Sequence, residues 1–167
     1  VDWVCKTPYS QASQLNYDSK EHIGGVYAMA TLSSALGELN VGLRAEHTNQ
    51  IYTMLQHFRN MGQVGEQSYW DYLPSVSVKW TPTKKMNVRL SYYRSINRPG
   101  FYEIVPYQIQ GEEYQEKGNP ELKRARIDNI DLRWEWFPSS TEQILAGVFY
   151  KYLKNPIEQV FVTSDGK

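Results

Sequence analysis

The sequence contains one cysteine, Cys5, in 167 residues. It can close no internal disulfide, which excludes a small secreted fold held by bridges and leaves a free thiol or a partner for a cysteine elsewhere. No run approaches the roughly 18 consecutive apolar residues of a membrane-spanning helix. That excludes helical spans only, because a barrel strand needs about 9 to 11 residues with every second one apolar. Such strands are compatible with the low mean hydropathy of −0.59. An excess of one charge is also missing: 18 Lys and Arg match 18 Asp and Glu, so the chain is not basic enough to imply a nucleic-acid partner. The opening residues, VDWVCKTPYSQASQ, have neither the basic start nor the apolar stretch of a secretory signal. They read as the start of a cytosolic chain or as an internal piece of a longer one. The sequence holds no GxSxG, no CxxC and no phosphate-binding glycine loop, and His22, His47 and His57 are not at ligand spacing. No catalysis, cofactor or metal is therefore expected.

Aromatic residues, in contrast, are abundant: 13 Tyr and 5 Trp, side chains whose apolar body and polar tip suit a boundary between oil and water. Polarity alternates with a period of two. Val76, Val78 and Trp80 alternate with Ser77 and Lys79, and Met86, Val88, Leu90 and Tyr92 alternate with Asn87, Arg89 and Ser91. These two strands form an antiparallel hairpin turning through Thr81 to Lys85, with an apolar face and a charged face. The same pattern gives strands over Ile23 to Ser33, over Leu39 to Glu46 with an extension towards Thr53, over Arg126 to Phe137, and over Ile144 to Tyr152. Six strands within 23–158 are thus expected, with long loops near 1–20, 55–69 and 98–124. A further β-prone piece, Val160 to Thr163, precedes a turn signal at Asp165 and Gly166.

Two regularities follow. Connections alternate between short and long, so short turns gather at one end of the strands and long loops at the other. In addition, Arg44, Glu46, Lys79, Arg89, Asp131, Arg133 and Glu135 all fall on the face opposite the apolar residues. A soluble β-sandwich alternates in the same way, with its charged face in water. Such a sandwich, for example a carbohydrate-binding module, would bury the face carrying Trp80, Trp134 and Trp136 against a second sheet. Those tryptophans, however, sit beside the short turns, where the interfacial girdle of an outer-membrane barrel lies. The fold class expected is all-β, with antiparallel up-and-down strands forming part of a transmembrane β-barrel.

The blocks LPSVSVKW, MNVRLSYYRSINRPGF, GNPELKRARIDNIDLRWEWFP and ILAGVFYKYLKNPIE, with GLRAEHT at Gly42 to Thr48, resemble the barrel of TonB-dependent outer-membrane receptors, especially the branch common among Bacteroides-like bacteria. The resemblance covers about 23–158. It implies a barrel of about 22 strands with an N-terminal plug, located in the outer membrane of a Gram-negative bacterium and energised by the TonB complex. Plug, TonB box and C-terminal aromatic strand end are not in this stretch, which therefore reads as a fragment of the barrel. The implied partners are outer-membrane lipid, the plug of the same chain, TonB and a transported ligand; a surface lipoprotein is also left open. The ligand is a scarce nutrient such as a chelated metal, vitamin, peptide or glycan. The resemblance puts the 98–124 loop outside the cell, where Arg98, Tyr102, Tyr107, Gln108, Gln110 and Tyr114 are the candidate ligand contacts. Arg44, Glu46, Lys79, Arg89, Asp131, Arg133 and Glu135 become lumen-lining, with mutual neutralisation as their simplest role. Glu112, Glu113 and Glu116 allow an acid/base pair or a cation site, but read first as parts of a solvated loop.

Overall fold

The computed structural model describes residues 16–55, 64–110 and 114–161. Six antiparallel strands form one sheet: β1 (Tyr17–Ser34), β2 (Gly37–Met54), β3 (Val64–Thr83), β4 (Met86–Asn97), β7 (Ala125–Trp136) and β8 (Ile144–Lys154). Each pairs with its neighbour in the order β1-β2-β3-β4-β7-β8. The connection from β4 to β7 holds a short helix, α1 (Phe101–Ile104), and a two-stranded ribbon of β5 (Gln108–Gln110) with β6 (Gln115–Lys117).

Pairing register turns the alternation of single strands into continuous faces. Leu32, Leu39, Val78, Leu90, Leu132 and Val148 are successive direct partners across all six strands, and so are Ala30, Val41, Val76, Tyr92, Ile130 and Tyr150. One residue along, the opposite face carries Glu38, Lys79, Arg89 and Arg133 in a row. Slipping any strand by one residue would exchange these faces, so the register is strongly specified. No second sheet covers the apolar face among the described residues: Leu32 is 67% and Val148 68% exposed. The burial that a soluble sandwich requires is not found.

Local chemistry sets the short turns. Ala35 and Leu36 join β1 to β2, and Lys84 and Lys85 join β3 to β4. Gly37 begins β2 where an added Cβ would lie 2.0 Å from the Lys79 carbonyl oxygen, a position that excludes any side chain. Thr81, Pro82 and Thr83, expected in the turn, belong to β3. The pairing of β3 with β4 is irregular between Trp80 and Thr83, around a proline that has no N–H to donate. Pro74 has a similar effect, since pairing with β4 stops at Ser75, its neighbour.

Beyond Ser75, β3 runs on to Val64 beside β2 and β1. These three strands have 18, 18 and 20 residues, against 12, 12 and 11 in β4, β7 and β8. The wall is therefore taller on one side. Tyr17 to Lys20 and Val64 to Tyr69, expected in loops, are strand; the loop expected over 98–124 contains α1 and the ribbon. Val160 and Phe161 are not in a strand, while Cys5, the tip of the 55–69 loop and the Asp165-Gly166 turn lie outside the described residues. The β4–β7 connection folds over the polar face of the tall wall, burying every second residue of β2: Glu46, Thr48, Gln50, Tyr52 and Met54. Tyr52 and Met54 meet Ile104 and Val105 in a small core, with Tyr17, Phe101 and Leu122 packed around it.

Candidate functional site

Polar tethers fix both ends of this folded-in connection. At its start, Arg98 Nε donates to Thr48 Oγ1 at 3.0 Å, and the guanidinium pairs with Glu46, which also pairs with Arg44. Gln50 Nε2 donates to the Pro99 carbonyl at 3.2 Å and to Glu21 at 2.9 Å. At its return, Gln67 Nε2 donates to the carbonyls of Pro120 and Leu122. Arg124 Nε and Arg126 Nη2 both donate to the buried Asp71 carboxylate, at 2.6 and 3.2 Å, and the Arg124 guanidinium lies 4.2 Å from the Tyr69 ring centroid. Carboxylates from β2 and β3 thus hold arginines from both ends of the loop.

Between the tethers lies a cavity of about 530 Å³, bounded by α1, the β5–β6 ribbon and the segment after β8. Its size is in the range of small-molecule sites. Tyr102 and Tyr107 stack at a tilt, with ring centroids 4.8 Å apart, and both hydroxyls donate to Glu116 Oε1, at 2.7 and 2.8 Å. Tyr107 is buried and Tyr102 exposed. Opposite them, Tyr114 meets Phe161 edge to face at 5.8 Å. Gly118 sits where an added Cβ would fall 1.8 Å from the Val105 carbonyl oxygen, which brings the ribbon tight against the end of α1.

Of the six candidate ligand contacts, Tyr102, Tyr107 and Tyr114 line this cavity. Arg98 does not: its charge is committed to Glu46 and Thr48 on the wall. Gln108 is half-buried in the ribbon and is not among the lining residues, and the Gln110 side chain lies outside the described residues. Glu116 and Phe161 are part of the lining that sequence reasoning missed. In the sequence Glu116 reads as one of three glutamates in a solvated loop, and nothing in the spacing of Tyr102, Tyr107 and Glu116 announces that they converge.

The hydrogen bonds from Tyr102 and Tyr107 hold the Glu116 carboxyl below its ordinary 4.5. Burial, with the hydrogen bonds to Tyr102 and Glu116, pushes the Tyr107 phenol above its ordinary 10.0. A depressed carboxyl contributes stability above its unfolded value and loses it as pH falls through the lower folded one; a raised phenol contributes below 10.0 and loses it as pH rises through the higher one. Near-ultraviolet circular dichroism of the cavity tyrosines should therefore stay flat from about pH 5 to 10 and change only outside that window. A transition near neutral pH would contradict this arrangement.

On the polar face below the loop stand Arg44, Glu46, Lys79, Arg89, Asp131, Arg133 and Glu135. The buried Glu135 accepts from Asn87 at 3.2 Å and Arg89 at 3.0 Å and lies 3.9 Å from Arg133. Asp131 and Lys79 form no ion pair with the described residues. The apolar face carries tryptophans at both heights: Trp80, Trp134 and Trp136 near the short turns, and Trp70 high on β3, 4.9 Å from the His47 ring. Trp70 and Trp80 share that face ten residues apart, roughly 33 Å along the strand, or about 25 Å of height at a barrel strand's tilt of about 40°. That height matches the lipid-facing band of an outer-membrane barrel.

A family model described as "Outer membrane protein beta-barrel family" matches residues 3–167. No curated protein and no solved structure matches the chain.

Proposed function

Because the chain belongs to the outer membrane protein β-barrel family, and so lies in the outer membrane of a Gram-negative bacterium, we propose that its arc is part of the wall of a TonB-dependent transporter for a scarce nutrient. The apolar face meets lipid and the polar face lines the lumen. β1 and β8 have no partner on their far sides among the described residues. In lipid every unpaired backbone group costs several kcal/mol, so further strands of the barrel pair there.

The observation that carries this reading is the lumen face of the two outer strands. Tyr27 and Met29 on β1 and Phe149 on β8 point to that face, and they are 75%, 70% and 73% exposed. A plain aqueous channel has a polar interior. Large bare apolar groups opposite Arg44, Gly42 and Asp131 fit a barrel with a folded occupant, which in a TonB-dependent transporter is the plug of the same chain. The tyrosine cavity then sits in the outward-facing loop that meets the ligand, and a surface lipoprotein is a partner for the loops around it. The protein acts by binding and transport, without catalysis.

Retention on the immobilised periplasmic domain of TonB tests the proposal. Detergent-solubilised outer membranes are passed over it, and the eluate is searched for peptides of this sequence. Recovery of those peptides, with an unrelated porin left in the flow-through, is the expected result. Failure of retention together with a steady passive ion conductance from the purified protein would contradict it.

A further inference from the structure

The lining of the loop cavity has a chemical bias. Among the described residues, four aromatic rings, Tyr102, Tyr107, Tyr114 and Phe161, border it together with three carboxylates, Glu103, Glu116 and Glu158, against one lysine, Lys117. Glu103 already accepts from the Gly100 N–H at 2.7 Å. Glu116 is held differently: both tyrosine hydroxyls bond its Oε1, and its Oε2 has no partner among the described residues. The two hydroxyls fix the carboxylate without neutralising it. Aromatic faces attract a cation through their negative quadrupole, and a fixed carboxylate adds full charge. An anionic ligand would meet the wrong sign, and the rings would give a neutral one no advantage over its charged isostere.

The geometry points to an organic cation, a quaternary ammonium or protonated amine with an apolar skirt, as the ligand class of the cavity lined by Tyr102, Tyr107, Tyr114, Phe161 and Glu116. This rests on the reading that the cavity meets the transported ligand, and it specifies that ligand's charge. The cation sits between the rings, with the Glu116 carboxylate beside it. The exposed Tyr114 and Phe161 form the entrance.

The test uses the native full-length protein in maltoside micelles, which contribute no ammonium group. Choline is titrated against its neutral isostere, in which the quaternary nitrogen is replaced by carbon, with binding followed by saturation-transfer NMR. Choline should bind saturably and about tenfold or more tighter than the isostere. Glu116→Gln, which keeps an oxygen for the two hydroxyls to bond, should remove that preference, and Tyr114→Ala, at an exposed position, should weaken choline binding. Equal binding of the two probes, or choline binding unchanged in both variants, would overturn the cation assignment while leaving the cavity a ligand site. If neither probe binds and cells carrying Tyr114→Ala take up nutrients as the parent does, the cavity is no ligand site and both readings fall.

Discussion

Leu132→Arg should destabilise the membrane-embedded protein by about 2 to 4 kcal/mol, the measured range for arginine at the lipid midplane of a barrel. Leu132 belongs to the row that runs from Leu32 to Val148, with a further apolar row on either side of it. Its neighbour Asp131, one residue away on the other face, is the control. Asp131→Asn removes a charge that forms no ion pair with the described residues, and should change stability by less than about 0.5 kcal/mol. Urea titration of the protein folded in lipid vesicles, read by its shift in electrophoretic mobility, measures both. Equal costs at the two positions would mean that the faces are not separated by lipid.

The second large effect concerns the folded-in loop. Asp71 is 1% exposed and serves both Arg124 and Arg126, so Asp71→Ala strips the return of the loop of its carboxylate anchor in β3. Breaking a fully buried pair costs about 3 to 5 kcal/mol; because Arg126 is partly exposed and Arg124 keeps its bond to the Trp70 carbonyl, about 2 to 3 kcal/mol is expected. That raises the open population of the loop by roughly 30- to 150-fold. Limited proteolysis of outer-membrane vesicles should show cleavage within 98–124 accelerating accordingly, while Asp131→Asn leaves it unchanged. Unaltered cleavage in Asp71→Ala would show that the small core around Met54 and Val105, with the remaining tethers, holds the loop without Asp71.

The parts of this architecture that were legible in the sequence are those where lipid imposes a two-residue period. Val76 to Trp80, Met86 to Tyr92 and Ile130 to Trp136 alternate because one side of each must be apolar, and the register joins them into a single face as expected. Higher on β2 and β3 the pattern fades. Thr48 and Gln50 are buried under polar tethers, while His47 and Asn49 on the other side make polar contacts with Ser68 and Glu66. With no apolar face to maintain, these segments are held as strands by backbone pairing, which composition does not reveal. For the same reason Tyr17 to Lys20 and Val64 to Tyr69 resemble loop in the sequence.

The candidate site was less legible because its contacts are long-range. Arg98 is 52 residues from Glu46, and Arg124 is 53 from Asp71. Adjacent to Pro99 at the end of β4, Arg98 has the look of a loop residue free for ligand; its partners lie two strands away across the polar face. The tyrosines stand out because their number in one loop is unusual. Glu116 does not, since a glutamate beside others in a Gly- and Pro-rich stretch looks solvated until the two hydroxyls that bind it are in place.

The central claim is that one face of this sheet lies in lipid and the other does not. It is tested most directly by a single-cysteine scan along β7, from Ile130 to Trp136, in the native protein with Cys5 replaced. A spin label at each position is probed in bilayers with oxygen, which concentrates in lipid, and with a water-soluble nickel chelate. Oxygen accessibility should rise at Ile130, Leu132, Trp134 and Trp136 and fall at Asp131, Arg133 and Glu135, with a period of two. A uniform profile, or oxygen accessibility highest at Asp131 and Arg133, would contradict the assignment of the faces.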